Sequence, residues 1–208
     1  MSIVSHLLDH QAVRISLDPP FTWTSGIKAP VYCDNRLMTS FPEARNEIVD
    51  GFVNKIQELG LEPEAIGGTA TAGISWASFV AQRLNLPMFY VRSKPKGHGA
   101  GKQVEGFVPE NSKILIVEDL ISTGGSSIKS AEACQREFNA EVLGIMAIFT
   151  YELTVAEKNF TESGLNAYPL ATFPALLSEM KTRGDISEAQ EQIVLKFRED
   201  PKVWEETL

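Results

Sequence analysis

Cysteine is nearly absent from this 208-residue chain: Cys33 and Cys134 are too few for a disulfide framework or a cysteine-built zinc site. No run approaches the ~20 apolar residues that a membrane span requires. The start, MSIVSHLLDHQAVR, lacks the basic stretch and apolar segment of a secretory signal. These absences point to a reduced, cytoplasmic protein with no membrane partner. Basic charge is scarce as well. The 19 Lys+Arg stand against 27 Asp+Glu, a formal net charge of −8, which argues against non-specific binding to nucleic acid. Anions must then be met by a local cluster of cations or N–H groups. Repeats, low-complexity tracts and long polar linkers are missing too. With 43% hydrophobic and 22% charged residues, the composition suits one globular domain spanning 1–208.

What is present is an alternation of helix and strand signals. Ile48, Phe52, Ile56 and Leu59 form one stripe over 43–59, and Ser40 with Glu43 reads as a capping box. A short strand at Ala65-Ile66 precedes a helix over 74–84 and a strand over 88–91. The run Ile114-Leu115-Ile116-Val117 is apolar throughout, as in a strand buried on both faces. A helix over 126–138 should turn Ile128, Ala131, Cys134 and Phe138 inward, followed by a strand over 142–149. Helices are expected at 174–182 and 187–198, the second opened by a Ser187–Gln190 capping box. The pattern predicts an α/β fold, a parallel sheet flanked by helices. Roughly the first 40 residues fall outside it and read as a small hood over the sheet, joined by the C-terminal segment.

Ligands of such sheets sit beyond the carboxyl ends of the strands. Three unusual segments lie there. Glu118-Asp119-Leu120-Ile121-Ser122-Thr123-Gly124-Gly125-Ser126 joins the best strand to a helix. Its small and hydroxyl residues at a helix N-terminus suit a phosphate, whereas two adjacent acids would repel one unless sugar hydroxyls lay between. A ribose 5-phosphate meets both demands; an acidic, capped turn with no ligand is the alternative. The Lys of a P-loop is missing, as is the G-x-G-x-x-G fingerprint. The second segment, residues 67–73, is made of small residues only and fits either a diphosphate turn or close helix–sheet packing. The third, residues 92–102, places Arg92, Lys94, Lys96, Lys102 and His98 among three glycines and a proline, with no acid. It reads as a mobile cationic loop able to close over a polyphosphate. His6 and His10 read as surface residues.

The run ILIVEDLISTGGSS resembles the 5-phosphoribosyl 1-diphosphate (PRPP) signature of the type I phosphoribosyltransferases. FTWTSGIKAPVYCDNR (21–36) and YVRSKPKGHGAGKQVEG (90–106) are similar to the orotate-specific branch. The resemblance implies transfer of ribose 5-phosphate from PRPP to orotate, a step of pyrimidine synthesis, by a homodimer whose 92–102 loop is shared across the interface. It implies Mg²⁺ carried by PRPP, with no metal site of the protein's own. By the same resemblance Arg92, Lys96, His98, Glu118, Asp119, Leu120, Ile121, Ser122, Thr123, Gly124, Gly125 and Ser126 bind PRPP. Lys96, His98 and Asp119 are the catalytic residues, Ser122 also contacts orotate, and Gly68 to Gly73 is the diphosphate loop. A purine-base transferase and a PRPP-sensing regulator of the same fold are the alternatives.

Some branches of the family carry cations that this chain lacks. A Lys of theirs is replaced by Thr24 and a Tyr-Lys pair by Thr71-Ala72, and where they hold orotate with an Arg beyond the strand at 142–149 this chain reads Phe149-Thr150-Tyr151. In the loop Ser93 replaces a Lys, and Lys94 lies one position later. Lys28, Arg36, Lys94 and backbone N–H groups are the candidates to compensate.

Overall fold

The computed structural model describes residues 2–23, 26–95, 102–201 and 204. The chain opens with α1 (Ile3–Asp9) and four short strands, β1 (Val13–Ile15), β2 (Phe21–Thr22), β3 (Lys28–Ala29) and β4 (Val31–Cys33). A 3-10 turn (Asn35–Ser40) leads into α2 (Pro42–Glu58). Then follow β5 (Ala65–Thr69), α3 (Gly73–Leu84), β6 (Met88–Val91), β7 (Val104–Glu105), β8 (Lys113–Ile121), α4 (Gly125–Phe138) and β9 (Glu141–Thr150). The chain continues through α5 (Thr154–Ser163), β10 (Ala167–Thr172), α6 (Phe173–Arg183) and α7 (Glu188–Glu199).

The central sheet has the order β10-β9-β8-β5-β6-β7, parallel except for the antiparallel β6–β7 edge. β8 explains its position. Leu115 and Val117 enter one core with α2, α3 and α6, while Ile114 and Ile116 enter a second core with α4 and α5. All four are fully buried, each stabilising the fold by about 1.5–3 kcal/mol. From β5 the chain winds outward to β6, then returns to the other side of β5 to lay down β8. That reversal opens a crevice between the carboxyl ends of β5 and β8, where doubly wound sheets take their ligands.

Several local expectations are corrected. Ser40 does not cap α2: Phe41 holds the cap position without a side-chain bond, because Pro42 supplies the preset first residue of the helix and Ser40 ends the 3-10 turn. Leu59 lies past the helix and is 39% exposed, and Phe138 at the end of α4 is half-buried. His6 is buried rather than superficial, since α1 lies against α2 and its Nε2 meets Glu47 Oε2 at 2.9 Å. The Ser187–Gln190 box is present in both directions. α1, α5, β7, β10 and the four short N-terminal strands were not anticipated. Among the described residues no helix is long and apolar enough to cross a membrane.

Candidate active site

β8 continues beyond its apolar run through Glu118, Asp119, Leu120 and Ile121, so the acid pair lies in the strand itself rather than in the following loop. Neighbouring strand residues face opposite ways. Glu118, 5% exposed, turns toward α4, where its Oε2 accepts from Ser126 Oγ at 3.2 Å, and its Oε1 accepts from the Asp119 N–H at 3.2 Å. Asp119 is half-buried, and its backbone carbonyl accepts from Asn35 Nδ2 at 2.6 Å. Asn35 is itself fully buried and accepts from Cys33 Sγ at 3.2 Å, which ties the N-terminal strands to the acid strand.

Burial, reinforced by the Asp119 charge, holds the Glu118 carboxyl well above the ordinary carboxylate range. Burial also raises Asp119, against hydrogen bonds and the Arg36 charge that favour its ionised form. Unfolded, Glu118 loses its proton near 4.5; folded, it keeps the proton to higher pH. Its contribution is therefore full below the unfolded value and is lost as pH rises through the folded one. Glu118→Gln has no such proton to lose, so its melting temperature should rise relative to the natural chain as pH increases above about 4.5. Parallel melts across a pH series check this. A gap that stays constant or narrows would show that Glu118 is not a desolvated acid.

Beyond β8, Gly124 adopts φ +76, and a Cβ there would lie 2.6 Å from the Phe160 ring. Only glycine fits. It starts α4 without a side-chain cap, so first-turn N–H groups of this 14-residue helix are left for an anion at the strand end. Ser122 is half-buried, Thr123 and Ser126 are exposed, and Gly125 is open enough to accept a Cβ with only Thr123 Oγ1 near, at 3.7 Å. Ile121 faces away into the α4–α5 core.

The small-residue segment 67–73 divides in two. Gly67, Gly68 and Thr69 belong to β5, and their smallness serves packing: a Cβ on Gly67 would lie 2.4 Å from the Phe89 ring, and one on Gly68 2.8 Å from the Gly73 carbonyl. Ala70, Thr71 and Ala72 form the turn into α3, whose N-terminus also lacks a side-chain cap. Beside it Thr69 Oγ1 is buried with no hydrogen-bond partner among the described residues.

Next to these elements lies a cavity of about 590 Å³. Trp23, Tyr32 and Tyr151 give it aromatic walls; Thr22, Cys33, Ser122, Leu120 and Arg36 complete it. Trp23 stacks on Tyr151 at 5.1 Å and meets Phe197 of α7 edge-on at 5.5 Å, so both ends of the chain support this wall. Burial raises the Tyr151 phenol well above its usual value, with Cys33 and Asp119 adding to the effect, and the group is a neutral hydrogen-bonding one. Among the candidate cations, Arg36 lines the cavity, while Lys28 and Lys94 are exposed.

Lys96 and His98 lie outside the described residues. The base of their loop is held on both sides. Arg92 N–H donates to the Gln103 carbonyl at 3.0 Å, and Gln103 Nε2 donates to the Arg92 carbonyl at 2.7 Å. Glu137 of α4 accepts from the Gln103 N–H at 2.8 Å. Arg92 is half-buried, with Nη1 3.4 Å from Glu105 Oε1, at the carboxyl end of β6. The residues missed by sequence reasoning are Asn35, Trp23 and Tyr151. The first two lay within the 21–36 segment already singled out, and aromatic and amide residues in so short a hairpin were the available signal.

A reversing parallel sheet with an acid pair and two uncapped helix starts at one crevice fits the phosphoribosyltransferase class that the sequence resembles. The phosphoribosyl transferase domain model matches residues 42–165. Orotate phosphoribosyltransferase of Streptococcus thermophilus is 49% identical over 204 residues, covering 98% of this chain and 97% of that protein. The crystal structure of orotate phosphoribosyltransferase from Aeropyrum pernix superposes with a TM-score of 0.76 at 26% identity, covering 89% of this chain and 99% of that one. Leishmania donovani UMP synthase shares the fold, with a TM-score of 0.78 at 23% identity over 94% of this chain and 41% of that one. The chain belongs to the orotate phosphoribosyltransferase family, enzymes of pyrimidine biosynthesis.

Proposed function

We propose that this site converts orotate and PRPP to orotidine 5′-monophosphate and diphosphate by electrostatic stabilisation. The observation that carries this reading is the aromatic cavity opening beside the acid pair and the uncapped start of α4, at one end of the sheet. Breaking the bond from C1′ to diphosphate builds positive charge on the ribose and negative charge on the leaving group. Glu118 and Asp119 hold the ribose hydroxyls, and the Asp119 carboxylate, whose ionised form hydrogen bonds and the Arg36 charge favour, faces that positive charge. The segment Leu120, Ile121, Ser122, Thr123, Gly124, Gly125 and Ser126 cradles the 5′-phosphate with backbone N–H groups and the α4 dipole. Ser122, on the cavity wall, also reaches the base. Arg92, Lys96 and His98 meet the diphosphate, and closing their loop excludes water that would compete for the activated ribose.

Mg²⁺ carried by PRPP would neutralise part of the diphosphate charge, and it would keep several of its waters as this ion usually does. The residues present would fit such a substrate-borne ion: at the end of β5 the buried Thr69 hydroxyl has no hydrogen-bond partner among the described residues, and hydrogen bonds and the Arg36 charge favour the ionised form of Asp119. The N-terminal 40 residues and the C-terminal helix act as a hood that brings Trp23, Tyr32 and Arg36 over the sheet end, and the protein works in the cytoplasm.

A spectrophotometric assay with orotate, PRPP and Mg²⁺ tests the reading. Orotate absorbance should fall in its presence. A purine-base transferase or a PRPP-sensing regulator would leave orotate untouched.

The site is completed across a homodimer, the loop of one subunit closing over the pocket of its neighbour. Lys96→Ala and Asp119→Asn, each nearly inactive alone, should then complement when unfolded and refolded together. Half the dimers are mixed, and each has one intact site. Roughly a quarter of the natural activity should return. Recovery no greater than the parents' average, with subunit exchange verified by mass, would exclude a shared site.

A further inference from the structure

A planar anionic pyrimidine needs aromatic walls and a cation for its carboxylate. Arg36 is the one ionised side chain lining the 590 Å³ cavity among the described residues, since the buried Tyr151 phenol is neutral. Its environment is specific. Nε donates to Asp34 Oδ1 at 2.6 Å and Nη2 to Asp34 Oδ2 at 2.9 Å, so one edge of the guanidinium is held by a two-point fork. Asp34 Oδ1 also accepts from the Arg36 backbone N–H at 3.3 Å, at the start of the 3-10 turn. The end-on edge, Nη1 with the second N–H of Nη2, makes no other hydrogen bond among the described residues. An arginine whose side-on edge is taken can still receive a second carboxylate end-on. The pair is 66% and 19% exposed, so its contribution to stability is small. Its consequence is orientation.

The position also fits the chemistry. In orotate the carboxylate sits on the ring carbon next to N1, the atom that bonds to C1′ of ribose. Whatever reads it must therefore lie close to the ribose-binding acids. Arg36 directly follows Asn35, which is hydrogen-bonded to the Asp119 carbonyl, and the Arg36 charge is felt by Asp119 itself.

Resting on the reading of this site as an orotate site, we propose that Arg36, oriented by Asp34, is the residue that reads the substrate carboxylate. It would compensate for the orotate-holding arginine that other branches carry beyond the strand at 142–149, where this chain reads Phe149-Thr150-Tyr151. Arg36 is then the specificity determinant for orotate over uracil.

Calorimetric titration with orotidine 5′-monophosphate and with uridine 5′-monophosphate, which differ only in that carboxylate, tests this. Arg36→Ala should raise the Kd for the orotidine nucleotide by about 10- to 100-fold, the size expected for a lost charge-assisted pair, and change the uridine nucleotide by less than about 3-fold. Arg36→Lys should restore only part of the difference, because a lysine cannot form the fork. Asp34→Asn should weaken the orotidine nucleotide selectively and by less than Arg36→Ala does. Parallel weakening of both nucleotides, or no weakening of either, would overturn the proposal. Natural protein that fails to consume orotate would instead sink the reading of the activity. An orotidine preference surviving Arg36→Ala sinks the carboxylate reader alone.

Discussion

Asp119→Asn should lower turnover of orotate and PRPP by about 10²–10³-fold, the cost of one preorganised group facing charge that develops in the transition state. The substitution keeps the shape of the side chain. The Asp119 contact with Asn35 runs through the backbone carbonyl and is retained, so the N-terminal strands stay docked on β8. Removing the charge also relieves its repulsion of Glu118, whose carboxyl it helps to hold above the ordinary range. The variant should therefore melt no lower than the natural chain while losing activity. The loss should appear in PRPP binding and kcat, with orotate binding unchanged, because the acid faces the ribose and not the base. Calorimetry with PRPP and steady-state kinetics together decide it. Unchanged PRPP affinity with unchanged kcat would remove Asp119 from the ribose site.

Legibility of this fold follows how far each signal reaches along the chain. β8 was plain from Ile114-Leu115-Ile116-Val117, because burial on both faces needs an uninterrupted apolar run. Its last third was not, because two acids break that run while the backbone pairing with β9 continues to Ile121 and Thr150. β5 was underestimated for a related reason: Gly67 and Gly68 look like a turn, yet their lost side chains make room for Phe89 and α3. α5 buries only Ala156 and Phe160, too little to make a periodic stripe, and β10 carries a proline. The N-terminal strands are two or three residues long, below the reach of any periodicity.

The site divides the same way. The phosphate segment was readable because its residues are consecutive. The Asn35–Asp119 bond joins positions 84 apart, and the Trp23–Tyr151 stack joins opposite halves of the chain. Nothing in local composition reports such contacts. They exist because the sheet order puts β8 at the centre beside β9, with both ends of the chain above their carboxyl ends.

Gly73→Ala should be among the most damaging methyl additions at the described glycines. The new Cβ would lie 2.4 Å from the Val117 carbonyl oxygen and 3.3 Å from Glu118 Cα. Both are backbone atoms in the middle of a paired strand, so no side chain can swing aside. Either α3 retreats or β8 bends, and the contact falls on the residue before the acid pair. Overpacking of this kind costs about 1–3 kcal/mol, and more where the obstruction is rigid. Activity should fall further than stability, because the same displacement separates the turn at Ala70–Ala72 from Glu118 and Asp119. Gly125→Ala is the contrast. It too stands at a helix start, but its Cβ meets only Thr123 Oγ1, at the ordinary distance of 3.7 Å. Its stability should match the natural chain or slightly exceed it, since alanine favours the helix. Urea denaturation of the two variants, with kcat/KM measured for Gly73→Ala, gives the comparison. If Gly73→Ala unfolded at the natural midpoint with natural kcat/KM, then α3 and β8 would not be in backbone contact, and the geometry assigned to the crevice between β5 and β8 would fail with it.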